Sequence, residues 1–155
     1  MATLRLADAK LAVGDFERAV KLDPMFARAY VGQATALLIV ADGEMSRERL
    51  SNIDKAAVLA GQLLKRALEI DDRIFETHLQ LALLNWSSER ADKELARALE
   101  LNPNSAAGYS MLADFRLWRD RLPDEAMLAV EKARRLSPLE AQYDLQKAMF
   151  SLYGK

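Results

Sequence analysis

His78 is the only histidine in the chain, and there is no cysteine. A catalytic or metal-binding imidazole needs partners of that kind nearby, so His78 reads as a packing residue between helices. Ser87 and Ser88 open a helical run, and the only base candidate lies about two turns back along the preceding helix. They read as helix caps rather than nucleophiles. Asp71, Asp72 and Glu76 form an acidic cluster at a turn, where turn formation and complementation of the helix dipole account for them. The glycines, Gly14, Gly32, Gly43, Gly61, Gly108 and Gly154, stand singly and form no phosphate-cradling loop. Arg116, Trp118, Arg119 and Arg121 interleave basic and aromatic residues, but Asp114, Asp120, Asp124 and Glu125 neutralise them. The stretch is expected to be an ion-paired rim and not an RNA surface. Asn85-Trp86-Ser87 fits the glycosylation triplet but overlaps a helix end, and the six methionines are dispersed. No acid–base pair, nucleophile or ligand set emerges. The expectation is a protein that is not an enzyme and takes no cofactor or metal.

The elements that carry these residues come from the rest of the chain. Its 155 residues suffice for one continuous core, and 51% hydrophobic with 29% charged residues describes a soluble globular protein. A net charge of −1 lacks the basic excess that nucleic acid or anionic membrane would draw on. The longest apolar stretch, Val31 to Ala41, is too short to span a bilayer. Arg5, Asp8 and Lys10 interrupt the layout of a signal peptide. The lack of cysteine fits a reducing, cytoplasmic setting; a periplasmic one stays open if the chain is attached to a membrane-spanning protein.

Apolar residues recur at three- and four-residue steps through most of the chain, the period of a helix buried on one face. Leu4, Ala7, Leu11, Ala12, Phe16, Ala19 and Val20 predict a first helix over about 3–22, with Gly14 inside it at a cost of about 1 kcal/mol. Asp23-Pro24 stops it, and a second helix runs from Phe26 to Ala41. Residues 43–51 are the one long polar connection, and Ser51-Asn-Ile-Asp54 has the pattern of an N-terminal cap for helix three, which ends at Ile70. Helix four covers about 73–86. Ser87 or Ser88 caps helix five, which ends at Leu101. Asn102-Pro-Asn-Ser105 gives a stop and a fresh cap for helix six, to about Arg119. Pro123 begins helix seven and Ser137-Pro138 ends it. Helix eight takes in Leu139 to about Tyr153. No stretch alternates with the period of a strand, so the fold class is all-α.

Four helix ends are alike: Ala19 to Pro24, Ala67 to Asp72, Ala98 to Pro103 and Ala133 to Pro138. The pattern Ala-x3-large-x2-Ala-x4-Pro occurs as Ala12, Phe16, Ala19, Pro24 and as Ala91, Leu95, Ala98, Pro103. It recurs as Ala126, Val130, Ala133, Pro138 and, with Asp72 in place of proline, as Ala60, Leu64, Ala67. Tyr30-x2-Gln33-Ala34, His78-x2-Leu81-Ala82 and Tyr109-x2-Leu112-Ala113 form a second, partial pattern, and residues 144–148 match it only through Ala148. These residues resemble the tetratricopeptide (TPR) repeat over nearly the whole chain. The resemblance implies an α-α superhelix, a solenoid of about eight antiparallel helices, in which alanines let paired helices approach closely. The family period is 34 residues. The closing positions here, from Pro24 to Asp72 to Pro103 to Pro138, stand 48, 31 and 35 apart. The excess is expected in the connection around 42–55 and the deficit at Asn85–Arg90.

The expected organisation is a single domain over 1–155. It comprises a half-repeat at 1–24, repeats at 25–72, 73–103 and 104–138, and a half-repeat at 139–155, a piece of a longer protein. A weaker similarity, carried by Phe26-Ala-Arg-Ala-Tyr30 and Gly108-Tyr109 after the turn, is to irregular repeat regions attached to bacterial adenylate or guanylate cyclases and winged-helix regulators.

In the TPR family the first helix of each pair lines a concave groove where peptides dock. The resemblance implies that Val31, Thr35, Leu38 and Ile39 point inward, followed by Leu79, Leu83 and Trp86. Ser110, Asp114, Leu117 and Trp118 come next, and then Leu145, Met149 and Leu152. This lining lacks the Lys/Asn/Arg clamp of chaperone-binding members, with Val31 and Thr35 standing where the clamp would begin, so binding of Hsp90 or Hsp70 tails is not expected. The functional expectation is a scaffold that binds a protein or peptide segment, or another domain of the same protein. The alternative is a regulatory or oligomerisation domain of a larger bacterial signalling protein, an adenylate or guanylate cyclase or a transcriptional regulator, that contacts another copy or the catalytic domain. Filling of the groove by the protein's own helices is the competing fate of these side chains.

Overall fold

The computed structural model describes residues 2–43 and 49–153, with side chains over 6–43 and 52–153. The described residues form eight α-helices and no strand. They are α1 (Ala2–Leu22), α2 (Ala27–Gly43), α3 (Arg49–Ile70), α4 (Phe75–Leu84), α5 (Glu89–Leu101), α6 (Ala106–Asp114), α7 (Pro123–Leu136) and α8 (Ala141–Tyr153). Contacts gather the chain into two compact units, 1–84 with α1–α4 and 85–155 with α5–α8. Within each unit, helices adjacent in sequence pack antiparallel on one another, as the all-α reading expects.

The four alike helix ends are alike atom by atom. The amides of Asp23, Asp71, Asn102 and Ser137 donate to the carbonyls of Ala19, Ala67, Ala98 and Ala133 at 2.9, 2.9, 2.9 and 3.1 Å. In three of them the closing side chain then accepts from the amide two residues on: Asp23 from Met25, Asp71 from Arg73 and Asn102 from Asn104. A short acceptor at that place satisfies an amide of the turn that follows the helix, which is why Asp and Asn stand there. The backbone amide of Arg73, and after it the Arg73 guanidinium, holds the exposed Asp71 carboxyl below its usual range.

Packing follows the alanine positions. Ala60, Leu64, Ala67, Ala91, Leu95, Ala98, Ala126, Val130 and Ala133 are all at most 3% exposed. In the first unit Ala60, Leu64 and Ala67 of α3 meet Tyr30, Val31 and Ala34 of α2 and Leu81 of α4. In the second, Ala126 and Val130 of α7 meet Ala113 and Leu117 on one side and Phe150 of α8 on the other. Ala133 joins Ala106 and Tyr143. The α1 copy, Ala12, Phe16 and Ala19, is only half-buried. There the close approach is made by Gly32 of α2, where an added Cβ would stand 2.3 Å from Phe16 Cζ.

Helix α1 runs unbroken through Gly14, as expected. Other boundaries differ from the sequence reading. Helix α3 begins at Arg49, so Ser51 is already helical and does not cap it; the rest of the 43–51 connection, 44–48, lies outside the described residues. Much of the first repeat's excess length is therefore helix, because α3 has 22 residues. Helix α4 stops at Leu84, two residues short of Trp86. Ser88 occupies the N-cap position of α5, but its hydroxyl donates back to the Asn85 carbonyl instead of accepting from the helix. Ser105 does cap α6, accepting from Gly108 N at 3.0 Å.

Helix α6 continues past Asp114 as a π-helical turn, Phe115–Arg119, and ends on Arg121 in the left-handed region at φ 61°. Leu122 N closes the end onto Arg116 O at 2.7 Å. A side chain in that conformation costs about 1 kcal/mol that glycine does not. Arg121→Gly is accordingly expected to raise stability by about that amount, read as an upward shift of the urea midpoint. Thr77 of α4 offers a second gain. It is fully buried, and its hydroxyl has no hydrogen-bond partner among the described residues. Thr77→Val keeps the shape, removes the orphaned hydroxyl and should add about 1 kcal/mol in the same measurement.

Candidate functional site

His78 sits in the polar-aromatic slot of its pair. It is buried, with Nε2 2.9 Å from the Asp72 carbonyl six residues earlier. Tyr30 does the same with its hydroxyl, donating to the Pro24 carbonyl at 3.2 Å. In these two pairs the slot reaches back to the turn that closed the preceding helix, whereas the Tyr109 hydroxyl accepts from Lys132 Nζ on α7. Ser87 and Ser88 are exposed, and no group of three or more His, Cys, Asp or Glu that could hold a metal ion occurs among the described residues.

The basic-aromatic stretch forms an ion-paired rim in the second unit. Arg116 pairs with Asp120 at 2.6 Å and Glu125 at 3.1 Å, and Arg119 pairs with Asp92 at 2.7 Å and Asp120 at 2.8 Å. Arg119 also lies 4.7 Å over the Phe115 ring and donates to the Trp86 carbonyl. Hydrogen bonds from Arg119, and after it Arg116, hold the Asp120 carboxyl below its ordinary range.

The residues expected to face inward divide into two sets. Val31, Leu79 and Leu117 are buried, Val31 in the core of the first unit and Leu117 in that of the second. Thr35 is half-buried, its hydroxyl donating to Val31 O, and Leu38 packs against the core of the first unit. Trp86 lies beyond α4 with its ring edge-on to Phe115 at 4.5 Å between centroids. Ile39 and Leu83 are exposed in the first unit. In the second, Trp118, Met149 and Leu145 are 37%, 42% and 63% exposed, and Leu152 is exposed beside them.

Ser110, Asp114 and Trp118 follow one another at four-residue steps along α6 and its π-turn, and the structure sets them against α8. Gln146 makes the junction. Its Oε1 accepts from Ser110 Oγ at 2.8 Å, and its Nε2 donates to Ser110 O at 3.1 Å and Asp114 Oδ1 at 2.9 Å. Trp118 then stands edge-on to Phe150 and Tyr153, at 6.3 and 5.1 Å. From the outer side α8 is held to α7 by Lys147–Glu131 and by Arg134–Asp144 at 3.7 Å. The sequence reading omitted Gln146, Phe150 and Tyr153. They step by four and three residues, the helical period that Ser110, Asp114 and Trp118 also follow in steps of four, and this periodicity was the available signal.

Burial pushes the Asp114 carboxyl above its ordinary range, and hydrogen bonds from Gln146 and Trp118 offset this only in part. A carboxyl raised in the folded state is stabilising in its protonated form. That contribution is complete below the unfolded pKa and is lost as pH rises through the folded one. Asp114→Asn keeps an acceptor oxygen for Gln146 and removes the charge. It should lose no stability at neutral pH, and the part of the pH dependence that Asp114 contributes should disappear from urea midpoints measured across the acidic range.

No protein-family profile matches this sequence, and no curated protein does. Among solved structures, the chain is similar to that of a thermophilic TPR protein from Thermus thermophilus. The TM-score is 0.78 and the identity 24%, over 96% of this chain and 76% of that one. At that identity the likeness establishes architecture: the chain has the helical-repeat fold of a TPR protein.

Proposed function

We propose that the protein is a non-enzymatic interaction scaffold that binds a segment of a protein partner on the face formed by α6 and α8. One observation carries this reading. Trp118, Leu145 and Met149 lie exposed beside the ordered Ser110–Gln146–Asp114 junction, on helices that the seam of alanines already holds in place. Large apolar groups on a rigid support bind with little ordering cost, and tryptophan is a favoured anchor. The test uses the exposed residues. Leu145→Glu with Met149→Glu should leave the helical signal and melting temperature intact and abolish retention of a partner by the immobilised protein. Leu128→Glu on α7, at a still more exposed position (72%), should retain it. Equal retention by both variants would refute the reading.

A second reading is a regulatory or oligomerisation domain of a larger bacterial signalling protein, such as a nucleotide cyclase or a transcriptional regulator. The exposed Leu11 and Leu22 of α1, together with the α8 residues, favour it. Sedimentation decides this point: a mass that rises with concentration supports self-association, and a constant monomer mass opposes it.

A further inference from the structure

We propose that the α6–α8 face selects a segment in which a lysine or arginine is flanked by apolar side chains, the cation set against Asp114 and Trp118 and its neighbours on Leu145 and Met149. The inference rests on the docking reading above and names the chemistry of the partner.

Asp114 is a half-buried carboxylate whose hydrogen-bond partners, Gln146 and Trp118, are both neutral. The rim around it is otherwise balanced, since Arg116 and Arg119 are committed to Asp92, Asp120 and Glu125. A carboxylate offers about four acceptor positions, so capacity remains for an incoming donor. Burial raising the Asp114 pKa is the mark of an anion short of solvation, the condition under which a cation contributes most.

Trp118 adds the second half. An indole face is the best aromatic partner for a cation, and this ring is fixed by its edge contacts to Phe150 and Tyr153 while remaining 37% exposed. Leu145 and Met149 supply apolar surface on the next helix. The same arrangement discriminates. An acidic segment meets Asp114 as a like charge, and a wholly apolar one removes more water from Asp114 without giving a counter-charge. A segment with one cation among apolar residues satisfies both parts.

The experiment pans a random peptide display library on the 155-residue chain, with Trp118→Ala as counter-selection. An enriched peptide is then titrated, in its native form and with its basic residue replaced by glutamine, into wild type and Asp114→Asn. The expected result is enrichment of Lys or Arg next to apolar residues. The glutamine peptide should lose about tenfold in affinity for wild type and about threefold for Asp114→Asn, where only the contact with the Trp118 face remains. Peptides that depend on Trp118 but carry no basic residue, or that bind Asp114→Asn as tightly as wild type, would overturn the inference and leave the docking reading standing. A selection that yields no Trp118-dependent peptide would overturn both.

Discussion

Phe115→Ala is expected to destabilise the protein by about 3–5 kcal/mol, a loss that a chain of this size can barely survive. Phe115 is the largest fully buried side chain described. Trp86 stands edge-on to its ring and the Arg119 guanidinium lies over it, so truncation opens a cavity and removes an aromatic and a cation–π contact together. Arg119 would also lose the surface that aligns it on Asp92 and Asp120. A urea or thermal melt followed by far-ultraviolet circular dichroism measures the effect. Trp86→Ala should share part of it, whereas Trp118→Ala, whose ring is partly exposed, should not.

The second large effect concerns the seam. Ala67→Leu inserts three carbons where Ala67 has no exposed surface, among Tyr30, Val31, Ala34 and Leu64. Helices held at alanine distance cannot admit them without separating, and the expected cost is about 3 kcal/mol, at the upper end of overpacking penalties. The added apolar surface does not offset this, because it gains contact only by displacing contacts already made. Leu128→Ala makes the matching control. It removes the same number of carbons from an exposed site and should change stability by less than about 0.5 kcal/mol. Melts of the two variants separate the contribution of close approach from that of hydrophobicity.

What could be read from residue order alone follows from how local each cause is. The burial of Ala67, Ala98 and Ala133 and the turns at Asp23, Asp71 and Asn102 were legible because a three- or four-residue spacing and a short acceptor side chain act within one helix end. The start of α3 was not. Ser51 and Asp54 fit a cap, but the helix extends back to Arg49, so a capping preference worth about 1 kcal/mol does not set where it starts. The π-turn at Phe115–Arg119 was also hidden. It depends on Phe115 and Leu117 both reaching buried positions ahead of the left-handed Arg121, an arrangement no periodic template contains.

The residues of the proposed face could be named one helix at a time, Ser110, Asp114 and Trp118 along α6 and Leu145 and Met149 along α8, because the repeat resemblance implied which side of each helix to follow. Their junction through Gln146 could not, since it joins residues 32 and 36 positions apart. Val31, Leu79 and Leu117 illustrate the converse. Helical step assigns a side, but how deep a side chain lies depends on the neighbouring helix.

The most direct test follows the two indole N–H resonances while a selected partner segment is titrated into the protein. Trp118, beside Asp114 on the exposed face, should shift and saturate, while Trp86, lodged against Phe115, should hold its position. A bound segment that leaves the Trp118 signal unmoved would contradict the account.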